Sequence, residues 1–510
     1  MSSSKDNIRI AKNTIVVYTR LIVTAVIGLL TSRYVLQILG ASDFGLYSVI
    51  GGVIAMFTFI SVSLQATTVR FINYEMGKQN GDLNKVFNTA RQIHIFFAVL
   101  IFLIAEVAGM YYIQHYLNVD SSKLSDAYYV FHVSIVAACI GIVNVPYQGL
   151  LVAHEKFLYV AFIDIFNTIC KLLMVLMLLF LDGDVLRLYA LSMSLLTILS
   201  FVCYLLICWK NWPAIVQYKM VKSARQHKEM LVFNNYTLLT TISLMVRNQG
   251  SNLLINFFFG TVVNAAYAIS NTVHVYVNAF AGSFDQASAP QITQNLSKGS
   301  YDRALFLVDH TCRICILLVE IVYFTLVAEI DFVLRLWLGN HVPEGTAIFC
   351  KLTLLLAVIS ATSGGLTQYI NALGKLKYFS ISMASFYAMG LLLSVIIYHL
   401  GGEAWTIVAV YLVIDGLNRI IQLLILKYQS GFPVMDFVKK AYIRPLIVFF
   451  LGSVLVYEYN QILDLTGVWQ IIGMTGIMIF MSLLVFWVGL YNSERDRILF
   501  VITQKIRQIR

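Results

Sequence analysis

The sequence predicts an all-α membrane protein of about fourteen transmembrane helices, built as two pseudo-symmetric six-helix bundles followed by two C-terminal helices. Three observations predict it: composition, the distribution of basic residues, and an internal repeat. Apolar residues make up 59% of the 510 and charged residues 12%, against about 25% charged in an ordinary soluble domain. Apolar runs recur along the whole length, so lipid must be the solvent for most of the chain.

The start, MSSSKDNIRIAKN, is polar and basic, and the apolar run after it is too long for a signal-peptide core. It reads as an uncleaved first span. A span needs about 20 mostly apolar residues. Such runs occur at 12–38, 45–74, 89–114, 127–153, 157–181, 186–209, 229–259, 262–295, 306–328, 345–373, 377–400, 404–427, 443–463 and 467–491. With the N-terminus inside and strict alternation, 26 of the 36 Lys and Arg fall in inside segments and the adjoining helix ends. The outside loops hold only Lys123, Arg187 and Arg335, and seven basic residues lie within spans. Translocation resists positive charge, so this bias predicts both the span count and two cytoplasmic termini. The net charge of +10 is then a topology signal and gives no reason to invoke nucleic acid.

Self-similarity appears at an offset of 220 residues: Gly40 aligns with Gly260, Tyr47 with Tyr267, Val53 with Val273, Ile72 with Ile292, Lys78 with Lys298 and Asp82 with Asp302. Both copies read as helix, tight outside turn, long helix, inside loop. Six spans separate them, so the halves share one orientation, an arrangement found in transporters. The predicted domains are 1–210, 211–430, a helix pair at 431–492 and a tail at 493–510. In the tail, Ile498, Leu499, Ile502, Ile506 and Ile509 recur at helical spacing between basic residues. That pattern predicts an amphipathic helix, either on the anionic inner leaflet or docked on the protein.

Polar side chains inside spans are costly and point to cavities or partners. Arg247 lies mid-span, followed by Asn248, Asn252 and Asn256 on one stripe. Asn264, Asn271, Asn278 and Asp285 recur every seven residues in the next helix, with Tyr267 and His274 beside them. A substrate-facing cavity and interhelical hydrogen bonding both account for this surface. Arg20 sits about two turns into the first span, with Thr24 and Thr31 on its side. Lys171 follows Asp164 and Asn167 in span five, so a structural pair through Asn167 competes with a cavity role. Asp415 and Arg419, four apart in span twelve, predict a self-satisfied ion pair. Glu106, Glu320 and Glu458 are isolated span acids, each a candidate for a coupling proton.

Seven scattered cysteines give no disulfide framework, and Cys312-x-x-Cys315 lacks further ligands for a metal. No G-x4-G-K-[ST], H-E-x-x-H or G-x-S-x-G motif occurs, so neither ATP hydrolysis by a P-loop nor an enzyme of those classes is expected. No cofactor is called for.

The turn LGASDFGLY at 39–47, opening a long second helix, together with the six-plus-six repeat and the terminal helix pair, resembles the polysaccharide flippases (Wzx type) of the multidrug/oligosaccharidyl-lipid/polysaccharide (MOP) exporter superfamily. Leu39, Gly40, Phe44, Gly45 and Tyr47 match the family's turn pattern. The resemblance covers about 1–490 and implies a MATE/MOP-like fold. It implies movement of an undecaprenyl-diphosphate-linked oligosaccharide from the cytoplasmic to the outer leaflet of a bacterial inner membrane, in O-antigen or other surface polysaccharide synthesis. Implied partners are membrane lipids, a polysaccharide polymerase with its chain-length machinery, and H+ or Na+ as coupling ion. In the family, basic residues of spans one, two, seven and eight line a cationic cavity. That gives Arg20 and Arg247 the diphosphate, with Asn248, Asn252, Asn256, Asn271, His274, Asn278 and Lys171 as further substrate contacts. Asp164, Asp285 and Glu106 are the expected ion-coupling carboxylates. The alternatives are a multidrug exporter of the same superfamily and a membrane glycan polymerase or ligase. Short outside loops count against the last.

Overall fold

The structure is a computed structural model. It describes residues 58–492 except 80, 116–122, 181–183, 339–341 and 464, parts of 13–50, and 494–496. The side chains of 256, 261, 262 and 265 are outside that description, as are Arg33, Gly40, Phe44, Gly45 and nearly all of the tail. The described residues are helical, with no strand among them.

The helices are α1 (Ile15–Gly28), α2 (Thr58–Gly77), α3 (Leu83–His115), α4 (Leu124–Ala153), α5 (Phe157–Met177), α6 (Val185–Asn211) and the short α7 (Pro213–Val216). There follow α8 (Ala224–Ser297), α9 (Tyr301–Ala328), α10 (Ile330–Leu338), α11 (Thr346–Ala361), α12 (Leu366–Leu373), α13 (Lys377–His399), α14 (Thr406–Ser430), α15 (Val434–Phe437), α16 (Ile443–Ile462) and α17 (Val468–Leu484). Among the described residues nine helices are long and apolar enough to cross a membrane, and α11 with α12, bent by 47°, passes the same test as a pair. The helical hydrogen bonds inside each span satisfy the backbone where water is absent.

α8 is not among the nine. Its 74 residues are two arms, 224–259 and 261–297, joined at Gly260 with φ 80° and ψ −175°. This backbone region is open essentially to glycine alone. The two arms correspond to the two expected spans at 229–259 and 262–295. Their amides and Asp285 make them the most polar of the long described helices.

The chain divides into two compact units. Unit 1 comprises Met1–Thr241 with Thr293–Ser300, and unit 2 comprises Ile242–Ile292 with Tyr301–Arg510. In unit 1 one core joins Ile72, Phe87, Tyr147, Leu150, Phe157 and Tyr204. A second joins Leu39, Leu46, Phe131, Val175 and Tyr189. Leu39 and Leu46 bring the described part of the 39–47 turn into that second core. Tyr47 packs edge-on against Tyr189 at 4.8 Å, and Asp43 pairs with Lys123 just before α4. In unit 2 one core joins Ile255, Tyr267, Phe349, Tyr387, Ile407 and Tyr411. Another packs Leu317 and Phe324 of α9 against Val448 and Met481 of α16 and α17.

Candidate functional site: two buried arginine–aspartate pairs

In unit 2 the first arm of α8 carries Arg247 into the core, with its side chain 9% exposed. Its Nη1 lies 3.2 Å from Oδ2 of Asp415 on α14, whose side chain is also 9% exposed. The same Nη1 is 3.5 Å from the hydroxyl of Tyr387 on α13. The guanidinium carbon stands 5.1 Å from the Tyr387 ring and 4.8 Å from the Tyr411 ring, within cation–π range. Close packing of α13 on α14 sets this cage. A Cβ on Gly390 would fall 2.7 Å from Cε1 of Tyr411, so a residue without a side chain is needed there.

A small cavity beside the pair is lined by Arg247, Asn248, Tyr267, Asn271, His274 and Tyr411, among others. It has room for about one water. Nδ1 of His274 is 2.8 Å from the Thr353 carbonyl, and Nε2 is 2.7 Å from the Asn278 amide nitrogen. A carbonyl only accepts, so Nδ1 carries the hydrogen and Nε2 accepts from Asn278. The imidazole is thereby held in one neutral tautomer. The structure thus gathers Arg247, Asn248, Asn271, His274 and Asn278 in one place. Asn252 is half-buried on the same arm outside the cavity lining, and the Asn256 side chain lies outside the described residues.

Unit 1 holds a second pair. Nη1 of Arg20 on α1 is 3.1 Å from Oδ2 of Asp164 on α5, with side chains 21% and 32% exposed. The Tyr204 hydroxyl on α6 donates to Oδ1 of Asp164 at 3.4 Å.

The expected Asp415–Arg419 pair is corrected, and the Asp164–Lys171 pair, one of two open readings, is not formed among the described residues. Asp415 pairs with Arg247, not with Arg419. Arg419 Nε instead reaches Thr362 Oγ1 at 3.2 Å and its Nη1 reaches Gln422 Oε1 at 2.6 Å. The buried carboxylate turns to the cation of the neighbouring helix, and one turn on, Arg419 faces the break between α11 and α12. Asp164 likewise pairs with Arg20 and leaves Lys171, which is exposed and has no partner among the described residues. The picture of bare cations in a basic chamber also changes, because each guanidinium is matched by a carboxylate.

The remaining acids are placed as follows. Asp285 accepts from the Gly365 backbone N–H at 2.7 Å and from Gln368 Nε2 at 2.9 Å. It thus caps the start of α12, where a negative charge complements the helix dipole. Glu106 meets Nδ1 of His132 at 2.9 Å. Glu320 is 1% exposed, and its Oε2 has no partner among the described residues. Glu458 is exposed. No group of three or more His, Cys, Asp or Glu fit to hold a metal ion occurs among the described residues. The thiols of Cys312 and Cys315 donate to the Thr362 and Ala281 carbonyls.

Sequence reasoning missed Asp415, Tyr387 and Tyr411 as partners of Arg247, and Tyr204 as a partner of Asp164. Matching span charges by depth across neighbouring helices, rather than by local spacing, was the available signal.

Solved structures place this architecture. A MATE transporter in a bent conformation aligns with TM-score 0.70 at 13% identity, over 86% of this chain and 97% of its own. The Vibrio cholerae MATE transporter VcmN in a bent form aligns with TM-score 0.66 at 14% identity, over 86% and 99%. A MOP superfamily transporter from Pyrococcus furiosus, described as having a binding pocket of reverse polarity, aligns with TM-score 0.66 at 11% identity, over 89% and 96%. At these identities the likeness is one of fold. No curated protein matches the sequence. The model of the family described as "Polysaccharide biosynthesis protein" matches residues 10–296, more than half of the chain, and the chain belongs to that family.

Proposed function

We propose that this protein flips an undecaprenyl-diphosphate-linked oligosaccharide from the cytoplasmic to the outer leaflet of a bacterial inner membrane, by alternating access, during O-antigen or related surface polysaccharide synthesis. The observation that carries the reading is Arg247. Its guanidinium lies deep in a helical unit, beside amides and aromatic hydroxyls that suit both a diphosphate and a glycan. Family membership and a transporter fold support the same direction.

In this proposal Arg20 and Arg247 take the diphosphate. Asn248, Asn252, Asn256, Asn271, His274 and Asn278 serve the sugar, and Lys171 supplies a further cation. Asp164, Asp285 and Glu106 are the candidates for coupling to H+ or Na+. The halves are 1–210 and 211–430, both termini are cytoplasmic, and a polymerase with chain-length machinery receives the product. An inside-negative potential favours outward movement of a negative headgroup by ~2.3 kcal/mol per charge per 100 mV.

A second reading is export of small cationic drugs. One observation favours it: Asp415 and Asp164 neutralise the two arginines, so charge repulsion no longer excludes a cation. Proteoliposomes decide between them. Leaflet transfer of a fluorescent polyprenyl-diphosphate oligosaccharide, without export of dye cations, is the expected result. Dye export without lipid transfer would reverse the assignment.

A further inference from the structure

The two units contain the same three-residue device with two of its parts exchanged. Counting spans in the two halves predicted from the sequence, α1, α5 and α6 in the first correspond to the first arm of α8, α13 and α14 in the second. Arg20 on α1 and Arg247 on the α8 arm hold equivalent helices. In the first half the aspartate, Asp164, is on α5 and the tyrosine, Tyr204, is on α6. In the second half the tyrosine, Tyr387, is on α13 and the aspartate, Asp415, is on α14. The offsets between corresponding members also differ, so the two triads are not one local sequence copied twice. In both an arginine meets one aspartate, with a tyrosine hydroxyl on the aspartate in unit 1 and on the arginine in unit 2.

Stability does not account for the device. A buried ion pair gains little over well-packed apolar residues of the same volume. The pairing is also incomplete. A guanidinium carries five N–H donors and can hold a carboxylate or phosphate through a two-pronged fork. The contact seen in each pair is from Nη1 to one carboxylate oxygen, at 3.2 Å in unit 2 and 3.1 Å in unit 1. The Arg247 side chain also lines the small cavity.

We propose that Asp415 and Asp164 are place-holding anions: each occupies its arginine when no substrate is bound, and an anionic phosphate headgroup displaces it by offering the full fork. Return of the aspartate then expels the headgroup, so the same residue that weakens binding speeds release. The inference rests on the diphosphate reading above and adds the competitor to it.

The test uses the full chain purified in detergent, with farnesyl diphosphate as probe and farnesol as the uncharged control, read as a dissociation constant. Asp415→Asn and Asp164→Asn should each tighten farnesyl diphosphate binding about threefold to tenfold and leave farnesol unchanged. Arg247→Gln and Arg20→Gln should weaken it. Adding Asp415→Asn to Arg247→Gln should restore nothing. Asp164→Asn, at the more exposed pair, keeps the test decisive if Asp415→Asn does not fold. Unchanged or weaker binding in a folded Asp→Asn variant, with the Arg→Gln losses intact, overturns the place-holder role alone. Arg→Gln variants that bind as tightly as the parent overturn the diphosphate reading itself.

Discussion

Arg247 and Asp415 lie 168 positions apart in sequence and 3.2 Å apart in space, both with side chains 9% exposed. Removing one partner strands the other as an unpaired buried charge, at a cost of about 3–5 kcal/mol. Removing both leaves no such charge. Arg247→Met should therefore lower the unfolding temperature sharply, and the double variant Arg247→Met with Asp415→Leu should recover most of the loss. Thermal unfolding in detergent measures this. A double variant as unstable as the single would show that the cost lies elsewhere.

The aromatic cage depends on one glycine. Gly390→Ala places a methyl 2.7 Å from Cε1 of Tyr411, and the ring or the helix pair must shift. Overpacking of this kind costs about 1–3 kcal/mol. Moving Tyr411 also removes a cation–π contact to Arg247. The variant should be destabilised and should bind a phosphate headgroup differently from the parent. Unaltered stability and binding would mean that the packing of α13 on α14 does not set the cage.

Gly260 makes a separate prediction, because nothing lies within 4 Å of its missing Cβ. Gly260→Ala therefore meets no clash, and its cost is conformational only, about 1–3 kcal/mol for φ 80° and ψ −175°. Thermal unfolding of Gly260→Ala should fall accordingly. An unchanged midpoint would mean that the join between the two arms of α8 takes another backbone conformation.

Much of this was legible in the sequence, and for a definite reason. Span positions follow from solvent: twenty apolar residues in a row have one stable place, and α3, α6, α9, α14 and α17 lie close to where their hydropathy puts them. The polar stripe of α8 was legible for the same reason. The partners of the polar residues were not. Asp415 with Arg419 is the pairing that local spacing favours, yet Asp415 turns to Arg247, because a helix neighbour from another part of the chain offers a buried cation. Spacing reports which residues share a face of one helix. It carries no information on which helix that face meets.

The start of the tail supplies a pH prediction. Glu494 meets Nδ1 of His310 at 2.8 Å, pairs with Arg313, and accepts the Tyr491 backbone N–H at 2.8 Å. Burial pushes its carboxyl up, but His310 and Arg313 outweigh that and hold it down at about 2, from an ordinary 4.5. The folded value lies below the unfolded one, so the stabilisation is complete above about pH 4.5 and is lost as pH falls toward 2. It amounts to up to ~3 kcal/mol. Trypsin cleavage after Arg495 should be slow at neutral pH in the parent and faster in Glu494→Gln. Equal rates would show that Glu494 does not hold this segment to α9.

The central claim is that two deep guanidinium groups carry a diphosphate headgroup across the membrane. The most direct measurement is leaflet transfer of a fluorescent polyprenyl-diphosphate oligosaccharide in proteoliposomes by a variant with both pairs neutralised: Arg20→Gln, Asp164→Asn, Arg247→Gln and Asp415→Asn. This variant leaves no unpaired charge at either site, which avoids the main cost of breaking a buried pair. Transfer should fall at least about tenfold, equivalent to ~1.4 kcal/mol of barrier. Transfer at the parental rate would contradict the account.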